Sequence, residues 1–277
     1  IAVNSAGNCN EKVVKAIQSQ AADLIHTFNY PYTIPQALLA KKICDTIGMD
    51  KIYYQNSGTE ANEAMIKLAR KYGVDKYGPE KYEIVTAKMG FHGRSFGSMS
   101  ATGQPDSAIQ QGFGPMTPGF KYAEYNNLKA FEDAITDKTI AIMIEPVQGE
   151  GGVHPATKEF MTGLRKLCDE KDILLIFDEV QCGMGRSGAW FAWQQMGITP
   201  DIMTMAKAIG SGVPVGAFAM TKEVADNSLV PGDHGTTYGG NPLCCAAVSK
   251  TIEIFEKEHM LDHVNEIAPY LTQKLQE

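Results

Sequence analysis

The chain has 277 residues, 44% of them hydrophobic and 21% charged, with a formal net charge of −7. This is the balance of a folded protein with one large domain or two ordinary ones, and it excludes disorder as the main state. The acidic charge argues against nucleic acid as a partner, and no apolar run reaches the roughly 18 residues a membrane span needs, so no membrane partner is expected.

In chain order, a short strand is expected at Ile52–Tyr54, followed by Gln55-Asn56-Ser57-Gly58-Thr59-Glu60-Ala61. Small, hydroxyl-bearing residues open a helix there. Its free N–H groups suit a phosphate; alternatively Ser57 or Thr59 simply caps it. Ala61, Met65, Leu68 and Tyr72 recur at helical spacing, and Gly73 reads as the stop. A strand at Ile84–Thr86 leads to Gly90-Phe91-His92-Gly93-Arg94. That aromatic could lie against a planar ligand and Arg94 could grip a carboxylate; the competing reading is a turn with a surface arginine.

Ile140–Ile144 is a buried strand ending in Glu145-Pro146-Val147-Gln148-Gly149-Glu150-Gly151-Gly152, a polar loop or a carboxylate pair. Residues 157–171 form a helix with Phe160, Leu164 and Leu167 inward. Strand Ile173–Phe177 delivers Asp178-Glu179-Val180-Gln181. A carboxylate emerging from a buried strand needs a cationic partner or several donors, unless it caps the next turn. Strand Ile202–Met205 delivers Ala206-Lys207. A lysine among small apolar residues is desolvated, its pKa lowered towards a usable amine nucleophile, unless it snorkels outward. Gly235-Thr236-Thr237-Tyr238-Gly239-Gly240-Asn241 suits an anion or a plain turn, and Asn241-Pro242 opens another helix. His259 and His263 share a helix face without a third ligand, so no metal site is expected.

Apolar strands spaced by helices give an α/β protein with a mainly parallel sheet between helices, and ligands in such sheets sit at the carboxyl ends of the strands. Six scattered cysteines without a CxxC pair read as free thiols of a reducing, cytoplasmic setting. No signal peptide is expected. The start at Ile1 without Met and the end inside a helical pattern suggest a fragment. A phosphate cradle, a flat aromatic, a buried Asp and a buried Lys together are what pyridoxal phosphate requires.

Six stretches carry a resemblance in the same order as a known family: Asn56 to Asn62, Phe91 to Arg94, Glu145 to Gly152, Asp178 to Gln181, Ala206-Lys207, and His234 to Pro242. The chain resembles a class III aminotransferase of fold type I over its whole length. The resemblance implies a large cofactor-binding domain at 1–257 and the start of a largely missing C-terminal small domain at 258–277. It implies that Gly58 and Thr59 bind the pyridoxal phosphate, that Phe91 stacks on its ring, and that Val180 and Gln181 contact it, Gln181 near the ring hydroxyl. Asp178 would pair with the ring nitrogen and Lys207 would bind the cofactor covalently. Thr237 would serve the phosphate of a neighbouring subunit, making a homodimer with shared sites. Arg94, Glu150 and Thr236 would contact substrate, with Glu145 supporting the cofactor environment. The activity implied is transfer of the amino group of N-acetylornithine to 2-oxoglutarate by a ping-pong route in arginine biosynthesis. The alternatives are ornithine, succinylornithine, lysine or 4-aminobutyrate as donor, or a non-catalytic relative of the same fold.

Overall fold

A computed structural model describes residues 1–277. The strands are β1 (Lys51–Gln55), β2 (Glu83–Ala87), β3 (Phe120–Ala123), β4 (Thr139–Ile144), β5 (Val147–Gln148), β6 (His154–Pro155), β7 (Leu174–Asp178), β8 (Ile202–Ala206) and β9 (Gly216–Met220). The helices are α1 (Glu11–Asp23), α2 (Ile34–Ile47), α3 (Gly58–Tyr77), α4 (Phe96–Ala101), α5 (Leu128–Ala134), α6 (Lys158–Lys171), α7 (Ala192–Met196), α8 (Lys222–Asp226), α9 (Pro242–Lys257) and α10 (Met260–Gln276). Seven strands make one sheet in the order β1-β9-β8-β7-β4-β2-β3. β8, β7, β4, β2 and β3 pair in parallel, and β9 runs antiparallel to both β1 and β8.

Burial explains the apolar runs. β4, β7, β8 and β9 are buried at every residue. Alternate side chains serve two cores, as the pleat demands. Leu175 and Phe177 join α2, α6 and α9 on one face, while Leu174 and Ile176 join α3 on the other. All five expected strands are present in this sheet, β3 and β9 are added to it, and β5 and β6 form a separate two-stranded sheet. β9 reads Gly-Ala-Phe-Ala-Met, with none of the β-branched residues that advertise a strand. Its opening glycine has a cause. A Cβ on Gly216 would lie 2.1 Å from the Ser57 carbonyl oxygen, so the chain passes there only without a side chain.

The helix opened by Ser57 does not stop at Gly73; it runs through to Tyr77 and ends at Gly78, where φ is +104°. Gly73 is a packing glycine. A Cβ there would sit 2.2 Å from the Lys81 carbonyl oxygen and 2.8 Å from Ile140 Cγ1. Its absent side chain lets α3 press onto the sheet. The last helix, α10, buries none of its residues and leaves Ile267, Tyr270, Leu271 and Leu275 exposed.

Glu179, directly after β7, is 1% exposed. Its carboxylate accepts the N–H groups of Ala192 and Trp193, each at 3.0 Å, and so holds the start of α7. Burial pushes its carboxyl up to about 7, against the opposing pull of those N–H groups. A carboxyl raised on folding takes up a proton between its unfolded value and its folded one. Stability therefore falls as pH rises through that window, and the full cost is present above it.

Two outcomes are expected. Gly73→Ala should lower stability by about 1–3 kcal/mol despite alanine's better helix propensity, because the contact at 73 is backbone; urea midpoints measure this, and an unchanged or raised midpoint would refute the packing role. Glu179→Gln should be less stable than the parent at low pH, since an amide cannot accept two N–H groups with the same oxygens. That gap should narrow by on the order of 1–3 kcal/mol as pH rises from about 4.5 to about 7. A constant difference in unfolding free energy would mean that Glu179 ionises in the fold as it does unfolded.

Candidate active site

The cavity is built at the carboxyl ends of the strands, where a doubly covered parallel sheet leaves its crevice. α3 begins with a reciprocal cap. Ser57 Oγ accepts the Glu60 N–H at 3.3 Å, and Glu60 Oε2 accepts the Asn56 N–H at 2.9 Å. Ser57, not Thr59, is the cap. The N–H groups of Gly58 and Thr59 are left without an acceptor in the chain, at the positive end of a 20-residue helix. Thr59 Oγ1 is engaged elsewhere, 3.0 Å from Ser95 Oγ and 2.7 Å from Ser98 Oγ. Thr59 therefore offers its N–H to the cavity while its side chain ties α3 to the start of α4. A Cβ on Gly58 would lie 2.7 Å from Val180 Cγ1, so bare backbone forms the wall here.

Asp178 ends β7 and is 3% exposed. Oδ2 accepts from Asn62 Nδ2 and from His92 Nδ1, both at 2.8 Å, and Oδ1 accepts the Val180 N–H at 3.0 Å. Asn62 Nδ2 also donates to the His92 carbonyl at 2.7 Å. Burial works against a charged His92, but the hydrogen bond and charge of Asp178, joined by the charge of Glu145, outweigh it and hold the imidazole above its ordinary range. Glu145, at the end of β4, is pushed up to about 7 by burial, with His92 opposing.

Lys207 follows β8 at φ +47°, a left-handed conformation that is strained for a residue with a Cβ. Its side chain is half-buried at the cavity wall, so the full desolvation expected from its apolar neighbours is not realised. The surrounding Ala206, Ala208 and Ile209 are buried, but the amine end reaches the cavity. Phe91 is half-buried in the wall, and the Arg94 guanidinium rests 5.5 Å over its ring.

Of the residues singled out in the sequence, Gly58, Thr59, Phe91, Arg94, Asp178, Val180, Gln181 and Lys207 line this one cavity of about 490 Å³. Glu150, Thr236 and Thr237 lie outside its lining. Glu150 Oε1 accepts from Gln181 Nε2 at 3.1 Å, one residue behind the wall. Thr236 Oγ1 accepts from Asn56 Nδ2 at 3.3 Å, and Thr237 is exposed. Asn62 and His92 are site residues that reading the residues singly does not find. The available signal was polarity in an apolar setting: Asn62 falls on the buried stripe of α3 beside Ala61 and Met65, and His92 is enclosed between Phe91 and Gly93.

The arrangement fits pyridoxal phosphate on its own chemistry. Two unpartnered N–H groups at a helix N-terminus suit a phosphate. Phe91 and Val180 line the same cavity as the Asp178 carboxylate and the Lys207 amine, an aromatic face, an acid and an amine being the set this cofactor needs.

Comparison with known proteins agrees. Residues 1–277 match the family Aminotransferase class-III. The chain is 52% identical over 276 residues to the acetylornithine aminotransferase of Methanocaldococcus jannaschii, covering 100% of this chain and 69% of that protein. It is 46% identical over 264 residues to the succinylornithine transaminase/acetylornithine aminotransferase of Pseudomonas aeruginosa, covering 95% of this chain and 64% of that protein. Its fold superposes with TM-score 0.94 on the ornithine aminotransferase of Toxoplasma gondii, which holds pyridoxal phosphate at partial occupancy in its active site. That pair is 30% identical, with 99% of this chain and 65% of the other covered. The chain thus spans about two thirds of the length of these relatives. It belongs to the class-III aminotransferases, a family of pyridoxal-phosphate-dependent enzymes.

Proposed function

We propose that the protein transfers the amino group of N-acetylornithine to 2-oxoglutarate in two half-reactions of a ping-pong cycle, in arginine biosynthesis. The observation that carries this reading is the convergence of the Lys207 amine, the Asp178 carboxylate and the free N–H groups of Gly58 and Thr59 on one cavity. The likeness to relatives named for acetylornithine supports the donor.

Gly58 and Thr59 would hold the cofactor phosphate, Phe91 and Val180 would sandwich the ring, and Gln181 would face its hydroxyl. When bound, pyridoxal phosphate supplies the electron sink that lets a proton leave the donor Cα. Asp178 stabilises a proton on the ring nitrogen, because a buried carboxylate with its other contacts fixed has no solvent to screen it. Lys207 Nζ would hold the cofactor and move the donor's Cα proton. Arg94 would bind the donor's α-carboxylate bidentately. Thr236 and Glu150, just outside the lining, would meet substrate at the rim.

The protein would act as a cytoplasmic homodimer, with Thr237 facing the partner's phosphate. The exposed apolar segment Phe28, Tyr30, Tyr32, Ile34 and Leu38 supports such a contact. Residues 1–257 would be the cofactor domain and 258–277 the opening of a smaller one. The Pseudomonas relative's double name favours succinylornithine as the second donor to test.

The decisive experiment is an absorbance spectrum of the protein reconstituted with pyridoxal phosphate, before and after each of N-acetylornithine, succinylornithine, ornithine and 4-aminobutyrate. A visible band that collapses with N-acetylornithine is expected. Collapse with another donor alone moves the substrate, and a band that no donor changes refutes transamination. Lys207→Ala should lose that band; a variant still coloured after dialysis and fully active would remove Lys207 from the chemistry. Asp178→Asn should retain cofactor yet lose roughly 100-fold or more in kcat, several kcal/mol of transition-state stabilisation. An unchanged rate would exclude Asp178 from catalysis.

A further inference from the structure

Glu145 follows β4 directly and is 5% exposed. Its Oε2 accepts the Phe91 N–H at 3.0 Å. The Gly149 N–H also favours its charge. Phe91 sits in the loop after β2, and Gly149 opens the turn that carries Glu150. One buried carboxylate thus faces both segments at the cavity mouth. The chain wraps closely around it at Gly90, where a Cβ would lie 3.7 Å from Glu145 Oε2 and 3.3 Å from His92 Nε2. That imidazole nitrogen is buried and has no partner of its own. The rest of the loop is held at fixed points: Gln104 Nε2 donates to the Gly90 carbonyl at 3.0 Å, and Thr102 Oγ1 accepts the His92 N–H at 3.0 Å. Phe91 is the one residue of the three whose backbone is held by a group that can lose its charge.

We propose that Glu145 is a positioning residue: its carboxylate, by accepting the Phe91 N–H, holds Phe91 against the cavity. A carboxylate accepting an N–H forms the stronger, charge-assisted class of hydrogen bond, and burial protects it from competing water. Loss of that charge frees the Phe91 backbone and the ring it carries. The charged and titratable groups facing Glu145 are His92 from the loop after β2, Asp178 from β7, and Tyr125, whose hydroxyl donates to the Glu145 carbonyl at 2.8 Å.

The effect on ligand binding rests on the cavity being a pyridoxal-phosphate site; the effect on the loop does not. The test therefore reads both in the full chain. Amide hydrogen exchange over 90–94 is measured without cofactor in the parent and in Glu145→Gln, which keeps the shape and removes the charge. Pyridoxal phosphate affinity is then titrated by absorbance. Exchange over 90–94 should rise roughly tenfold while α6 keeps its protection, and the cofactor Kd should rise roughly tenfold, as loss of one charge-assisted hydrogen bond requires. Unchanged exchange over 90–94 overturns the proposal whatever the affinity does. A parent protein that does not bind pyridoxal phosphate strikes the functional reading instead, and leaves the exchange result to judge Glu145. Should Glu145→Gln fail to fold, the parent alone decides. Protection at Phe91, corrected for intrinsic exchange, should rise as pH goes from about 6 to about 8 and Glu145 ionises. Flat protection over that range overturns the proposal.

Discussion

A carboxylate at the end of a buried strand is the constraint on which the rest of the site depends. Asp178 leaves β7 with almost no solvent to stabilise its charge, so its donors must come from the protein. They come from three separate segments: Asn62 on α3, His92 after β2, and the Val180 N–H beyond β7. Asn62 uses its two amide hydrogens on Asp178 and on the His92 carbonyl. The helix, the loop and the strand end are thereby fixed to one another. Breaking such a buried pair by removing one partner costs on the order of 3–5 kcal/mol, because the other charge is stranded. This is why the N-terminus of α3, with its two free N–H groups, faces the same cavity as Lys207.

The same geometry gives the cavity an electrical direction. Asp178 and Glu145 place negative charge on one side, and His92 partly balances them. Gly58 and Thr59 present neutral donors and the positive end of a helix to the same cavity. A ligand that carries both an anionic and a cationic group meets a complement to each in this cavity. Lys207 is the one lysine that lines the cavity.

The core strands were legible because burial on both faces leaves uninterrupted apolar runs, as in Ile140–Ile144 and Ile173–Phe177. β9 was not, because close approach to Ser57 selects small residues over β-branched ones, and composition then hides the strand. Gly73 misled for the opposite reason. A glycine can mark a helix end or a tight contact, and only the presence of the Lys81 carbonyl 2.2 Å from its missing Cβ separates the two. Asp178 and Lys207 were legible because a charged residue at the end of an apolar strand is an anomaly in itself. Asn62 and His92 are not legible singly, since their meaning lies in a partner 116 and 86 positions away.

Floor and rim differ in how firmly they are held, and that difference divides the site's tasks. Asp178 is the last residue of β7, paired with Thr204 of β8, and Lys207 directly follows Ala206, which is paired with Gly216 of β9. Arg94 is exposed on a loop, resting on Phe91 through a cation–π contact, and Glu150 hangs from a glycine-rich turn by one hydrogen bond to Gln181. An exposed contact of that kind is worth about 1 kcal/mol or less, so these two side chains can reorient at little cost. Groups that must hold a cofactor to within a fraction of an ångström belong on the first kind of support, and groups that must accept one substrate and then another belong on the second. The chemistry of the class is therefore written in the rigid strand ends, where each substitution is costly. Arg94 and Glu150, each held by a single weak contact, are where a substitution disturbs the buried floor least.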